Sequence, residues 1–258
     1  KGSSLPAGQL IVLYRSYNPD VISAGPHDVS PDDSWAKQFM LEADFGDGWL
    51  HPASSNYTFI VQLHRGSTRS FGVYKPRDGE MPLWDFPVGT LCGRETAAFE
   101  LSELLRWSLV PPTVIREGEA GLGSVQLFVP HATDSNYFTI FTDSEPTLQR
   151  MAVFDIVANN ADRKGGHCFA SANSNTIWGV DHGLTFHENP KLRTVIWDFA
   201  GQSVPFDALQ DLRSIAERFA SEDEDMLRRF ATLVSARALD AVGRRIDNLL
   251  AHPYFPSP

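Results

Sequence analysis

Cysteine is nearly absent from this 258-residue chain, which has only Cys92 and Cys168. Two thiols build neither a disulfide framework nor a CxxC metal pattern, and they fit a reducing cytoplasm, the expected compartment. Long apolar runs are missing too. No stretch approaches the roughly 18 residues of a membrane-spanning helix. Positive charge is scarce, with 22 Lys and Arg against 32 Asp and Glu, a formal net charge of −10. That balance disfavours a nucleic-acid backbone or an anionic membrane surface as a general partner. There is no internal repeat and no low-complexity segment. The opening stretch KGSSLPAGQL has no signal-peptide pattern, and Lys1 to Ser4 carry no fold expectation.

What remains is an ordinary globular composition, 42% hydrophobic and 21% charged. Its pattern changes along the chain. Residues 1–47 read as an extension, with QLIVLY readable as a strand and a short helix over 31–43 that Ser30 caps and DFGDG closes. Residues 48–130 are mostly strand and turn. YTFIVQLHR and RSFGVYKP form one hairpin, and PPTVIREG and GSVQLFVP form a second around GEAGLG. Between the hairpins, LCGRETAAFELSELLRW has helical spacing, with Ala97, Leu101, Leu104 and Leu105 on one stripe. Residues 131–258 are mainly helical. SEPTLQRMAVFDIVANN starts from a capping signal at Ser144 and Pro146. TIWGVDHG is a short strand, and helices over 206–220 and 223–250 close the chain. The expected class is α+β, with a β-rich N-terminal lobe and a helical C-terminal lobe.

The richest chemistry lies in NNADRKGGHC, residues 159–168. Asp162 is a carboxylate in a loop, able to orient a hydroxyl or accept its proton. Arg163 and Lys164 bring positive charge suited to phosphate. Gly165 and Gly166 permit a tight backbone, and His167 can ligate a metal or hydrogen-bond a neighbour. Asp181, at a strand end before His182 and Gly183, suits Mg²⁺. A zinc site from His167, Cys168, His182 and His187 fits no known ligand spacing. Lys75 is the odd residue at the end of an apolar strand, either a surface lysine or a phosphate contact. Such a lysine needs a helical glutamate, with Glu95, Glu100 and Glu103 as options. Ser54, Ser55 and Asn56 either form an ordinary turn or present hydroxyls and N–H groups to phosphate. The DFG at 44–46 precedes the lysine strand, whereas a metal-binding DFG must follow the catalytic loop, so it reads as a helix-ending turn.

In this order, NNADRKGGH and WGVDHGLTF resemble the catalytic and metal-binding loops of the phosphoinositide 3- and 4-kinase-like proteins, a superfamily that includes HipA-type kinases. VYKPRDGEMPLWDFPVGTLCGRE, NNADRKGGH and VDHGLTFH resemble more closely a bacterial phosphatidylinositol-kinase-like group. The resemblance runs from about Gly48 to about Gly201. It implies a two-lobed atypical protein-kinase-like fold that binds ATP and Mg²⁺, with Mn²⁺ as an option. Lys75 would contact the nucleotide phosphates and Glu95 would orient it. Gln126, Leu127, Phe128, Val129 and Pro130 would form the adenine hinge. Asp162 would be the catalytic aspartate, and Asp181 would hold the metal with His167 or with Asn160 or Asn159. His167 departs from the family pattern, since many relatives carry a metal-binding Asn there. Lys164 stands where phosphoinositide kinases have His, while Arg163 matches their Arg.

The expected activity is ATP- and Mg²⁺-dependent phosphate transfer to a protein Ser/Thr hydroxyl or a small-molecule hydroxyl, with no lipid surface and no nucleic acid as partner. Trp84 and Phe86 in GEMPLWDFPVGT belong either to a flap or to a pinned surface loop. Two further readings stay open: transfer of AMP on the same fold, and a nucleotide-binding pseudokinase that regulates without turnover.

Overall fold

The structure, a computed structural model, describes residues 15–16, 19–52, 54, 56–174 and 176–258. The expected strand at 9–14 and Ser55 lie outside these residues. The chain forms two compact units: Lys1–Thr96 with Pro111–Pro130, and Ala97–Val110 with His131–Pro258. The first is β-rich and the second helical, so the α+β class is what the chain adopts. Residues 97–110, which the sequence pattern puts in the β-rich part, pack into the helical unit. Ala97, Leu101, Leu105 and Leu109 are buried in its core beside Met151 and Phe154. Among the described residues no helix is long and apolar enough to cross a membrane.

The first unit is built on a six-stranded sheet. Its strands are β1 (Arg15–Ser16), β2 (Asp44–Leu50), β3 (Phe59–Arg65), β4 (Thr68–Pro76), β5 (Thr113–Gly118) and β6 (Gly121–Leu127), in the spatial order β1-β2-β3-β4-β6-β5. All neighbours are antiparallel except β1 and β2. Two short helices, α1 (Pro19–Ser23) and α2 (Ala36–Glu42), accompany it. Phe39 and Met40 of α2 join Phe59, Leu63, Tyr74 and Val125 in a core on one face of the sheet. Both expected hairpins form, and Gly66 turns the first with φ +60°. Helix α3 (Leu91–Leu105) starts in this unit and ends in the next.

DFGDG is not a turn. It opens β2, where the step from Phe45 to Gly48 spans three residues against two on β3. An extra residue of that kind is a β-bulge, which accommodates a glycine-rich stretch inside a strand. Ser30 caps no helix: its hydroxyl accepts from Asp32 N–H, and Asp33 accepts from Ser30 N–H, which closes a local turn ahead of α2.

The second unit packs α4 (Tyr137–Ala158), α5 (Phe206–Ala220), α6 (Glu224–Phe230) and α7 (Ala236–Ala251) with the end of α3 and a small hairpin, β7 (Cys168–Ala170) and β8 (Ile177–Gly179). Helix α4 begins seven residues before Ser144. Asn136 is the true cap: its side chain accepts from Phe138 N–H, while Thr139 returns a hydroxyl to Asn136 N–H. Pro146 therefore sits inside the helix. The expected helix over 223–250 is two helices, because Ser235 caps a new start by accepting from Ala238 N–H at 3.1 Å.

Candidate functional site

In the β-rich unit the candidate group is a lysine and its acid. Lys75, near the end of β4, forms an ion pair with Glu95 from the first turns of α3. The carboxylate side is nearly enclosed, with 5% of the Glu95 side chain exposed against 23% for Lys75. Of the three acids considered, Glu95 is the partner. Glu100 is buried towards Arg229, 3.5 Å away, and Glu103 is exposed. Lys75 lies opposite Ser124 on β6, and Gly123 beside it is required by close approach. A Cβ at Gly123 would stand 2.5 Å from the Lys75 carbonyl oxygen.

The other residues expected at the nucleotide are engaged in the fold. The Gln126 amide donates to the Thr113 hydroxyl at 2.8 Å, and the Leu127 side chain is buried in the core. The N–H groups of Leu127 and Phe128 go to the carbonyls of Pro112 and Phe71, and the Phe128 ring stacks on His27. Val129 is buried. Gln126, Leu127 and Phe128 thus hold the sheet together, and those two N–H groups are not available to a base. Ser54 shares a hydrogen bond with Thr58 at 2.8 Å, and Asn56 accepts from Met81 N–H at 2.7 Å, pinning the loop that contains Trp84 and Phe86. Phe86 is buried under the Arg94 guanidinium, whereas Trp84 is exposed.

In the helical unit the acid-bearing loop is built from the end of α4. Asn159 terminates that helix in the left-handed region at φ +56°, a position asparagine tolerates. Its amide holds the carbonyls of His187 and Asn189 and the N–H of Lys191. Asn160 is also committed: it donates to Asp155 at 2.9 Å and accepts from Asp162 N–H at 3.0 Å. Both amides are thus hydrogen-bonded within the fold. Asp162 is partly exposed and meets the Lys164 ammonium at 2.7 Å. The backbone then runs beside residues 193–195, with Arg163 N–H bonded to Arg193 O and Val195 N–H to Arg163 O.

The hairpin of β7 and β8 fixes the rest. Cys168 pairs with Gly179, and Val180 N–H donates to His167 O at 3.0 Å, so Asp181 follows directly opposite the loop. His167 Nε2 stands 3.3 Å from Asp181 Oδ2. Lys164 N–H reaches His167 Nδ1 at 3.4 Å, which leaves the ring proton on Nε2, aimed at the carboxylate. Burial pushes the imidazole below its ordinary pKa, partly offset by the Asp181 charge. Asp181 has φ +59°, and half of its side chain is exposed. Burial raises the neighbouring Cys168 thiol to about 11.

Arg163 departs most from the sequence reading. Expected to meet phosphate, its side chain is wholly enclosed. Nε and Nη2 grip both oxygens of Asp155 at 2.9 and 2.8 Å. Nη1 donates to the carbonyls of His167 and Val180 at 3.2 and 3.0 Å, and Nη2 meets His182 Nε2 at 2.7 Å. All five N–H groups are used. Desolvation is the largest influence and weighs against the charge, yet the surrounding groups, Asp155 foremost, together outweigh it and raise the guanidinium pKa. The sequence reading missed Asp155. Its signal was a single acid inside the apolar run MAVFDIVA, since a buried carboxylate needs a cationic partner.

Asp162, Lys164, His167 and Asp181 are therefore carried on two adjoining loops of one unit, and Asn160 lies beneath them as support. Among the described residues no group of three or more His, Cys, Asp or Glu side chains is assembled as a metal cage. A phosphate-bound Mg²⁺ needs only one or two carboxylates. The half-exposed Asp181 fits that demand, whereas His167 fits better as its hydrogen-bond donor than as a ligand.

No protein-family profile matches this sequence. Among solved structures the chain is similar to the Helicobacter pylori proinflammatory kinase CtkA, at TM-score 0.49 and 12% identity over 83% of this chain and 94% of that one. It is also similar to the FAT and kinase domain of CtTel1, at TM-score 0.40 and 11% identity over 81% of this chain and 22% of that one. Among curated sequences it is 36% identical to Protein Rv2133c of Mycobacterium tuberculosis, in a 241-residue alignment covering 80% of this chain and 85% of that protein. Identity at that level across most of both sequences means that the chain belongs to the family of the mycobacterial protein Rv2133c.

Proposed function

We propose that this chain is an atypical kinase of the phosphoinositide-kinase-like type, transferring phosphate from Mg·ATP to a hydroxyl of a protein Ser/Thr side chain or of a small molecule. The observation that carries the reading is the enclosed ion pair of Lys75 on β4 with Glu95 on α3. A strand lysine oriented by a helical glutamate is the device that steadies nucleotide phosphates in kinases. Supporting it, the two carboxylates such chemistry needs, Asp162 and Asp181, lie on adjoining loops of one frame.

In this reading Asp162 orients the acceptor hydroxyl and takes its proton. The acceptor oxygen bonds to the γ-phosphorus as the bond to the β–γ bridging oxygen breaks, and ADP leaves. Mg²⁺ supplies neutralisation of the phosphate charge. Asp181 would hold it, and His167 Nε2–H keeps that carboxylate oriented. Lys164, largely exposed, exchanges its contact with Asp162 for phosphate oxygens. Residues 126–128 receive no role in it, since the Gln126 amide and the N–H groups of Leu127 and Phe128 donate within the fold.

Incubation with Mg·ATP or Mn·ATP followed by intact mass tests the activity directly. A gain of one phosphate on the protein or on an offered acceptor is the expected result. A gain of AMP would replace the reading with nucleotide transfer, and ATP binding without any transfer or hydrolysis would replace it with a pseudokinase. Asp181→Asn, which keeps the backbone and removes the charge, is expected to raise the Mg²⁺ concentration for half-maximal rate at least tenfold; an unchanged metal dependence counts against Asp181 as the ligand.

A further inference from the structure

The partners of Arg163 have a pattern in the chain. Val180, whose carbonyl takes one Nη1 bond, precedes Asp181, and His182, whose ring takes an Nη2 bond, follows it. The other Nη1 bond goes to the carbonyl of His167, whose ring faces the Asp181 carboxylate. The remaining two anchor the guanidinium to Asp155 on α4. One planar cation thus brackets Asp181 on both sides and ties that turn to the loop of Asp162. The bracket holds the turn at Asp181, whose backbone lies in the left-handed region at φ +59°.

We propose that Arg163 is a positioning residue that fixes Asp181 and its register with the Asp162 loop, and that it never meets phosphate. The bracket stands on geometry alone, and its catalytic meaning rests on the phosphotransferase reading. A lysine cannot replace it: a compact ammonium has three donors and cannot serve five acceptors arranged around a plane.

The test is Arg163→Lys in the full chain, followed by hydrogen exchange resolved to peptides. Exchange is expected to accelerate at least tenfold in residues 163–168 and 180–184, and to stay within twofold in residues 151–158 and in α7. Uniform acceleration would reduce Arg163 to a general stabiliser, and unchanged exchange in the two loops would remove the bracket; either overturns the proposal. In phosphate transfer, kcat should fall at least tenfold while KM for Mg·ATP moves less than threefold. A rise in KM with both loops still protected would mean that Arg163 acts on the nucleotide, which also overturns it. If the wild-type protein transfers no phosphate, the kinase reading fails and exchange alone decides the bracket. Should Arg163→Lys not fold, His182→Leu removes one acceptor and keeps the Asp155 pair. It should speed exchange at 180–184 at least threefold, and no change there would overturn the proposal.

Discussion

Asp162→Ala should lower phosphate transfer by about 10²- to 10⁴-fold, the range in which a positioned general base contributes. The variant should remain folded, because Asp162 supports little. Its carboxylate pairs with the largely exposed Lys164, and surface ion pairs contribute about 0–1 kcal/mol. The Arg163–Asp155 frame beneath it is untouched. Mg·ATP affinity should stay within a few-fold, since in the proposed mechanism the aspartate addresses the acceptor and not the nucleotide. Transfer rate by intact mass, nucleotide binding by calorimetry and a thermal melt check the three statements together. Equal turnover in the variant would take Asp162 out of the mechanism.

Asp155→Ala should be the most destabilising single change at the site. It would leave a fully enclosed guanidinium without its counter-ion and remove the acceptor of the Asn160 amide as well. Breaking a buried pair by deleting one partner costs about 3–5 kcal/mol. For a protein of this size that corresponds to a fall in Tm on the order of 10 °C. A melt of the variant within about 2 °C of wild type would show that the pair is not the anchor its burial suggests.

The two predictions separate what could be read from residue order from what could not. Lys75, Glu95, Asp162 and Asp181 stood out because each is a charged residue at a strand end, on an early helix turn or in a glycine-rich loop, where local pattern is informative. Arg163 stood out equally, and its direction was read wrongly. Whether a loop arginine points outward or inward is decided by Asp155, eight residues earlier in an apolar helix, and by the Val180 carbonyl, seventeen residues on and just past β8. At Gln126 to Phe128 too, partners supplied by strand pairing take part of the polar capacity: the Gln126 amide donates to Thr113, and the N–H groups of Leu127 and Phe128 donate to the carbonyls of Pro112 and Phe71. DFGDG looked like a turn because glycine and aspartate break local structure, yet it pairs with β3 by bulging. The class was legible from periodicity. The helix starts at Asn136 and Ser235 were not, because Ser144 with Pro146 imitates a cap, and α6 and α7 read as one run.

The left-handed backbone at Asp181 also limits what can stand at that position. Residues that enter this region readily are glycine, asparagine and aspartate. Glycine brings no ligand, and asparagine brings an amide without charge. Of the three, only aspartate supplies an anionic oxygen. A lineage that kept the turn but lost the aspartate would therefore drift to asparagine or glycine before alanine or glutamate. An asparagine or glycine at this place in a relative would mark a copy that keeps the fold while giving up the charge.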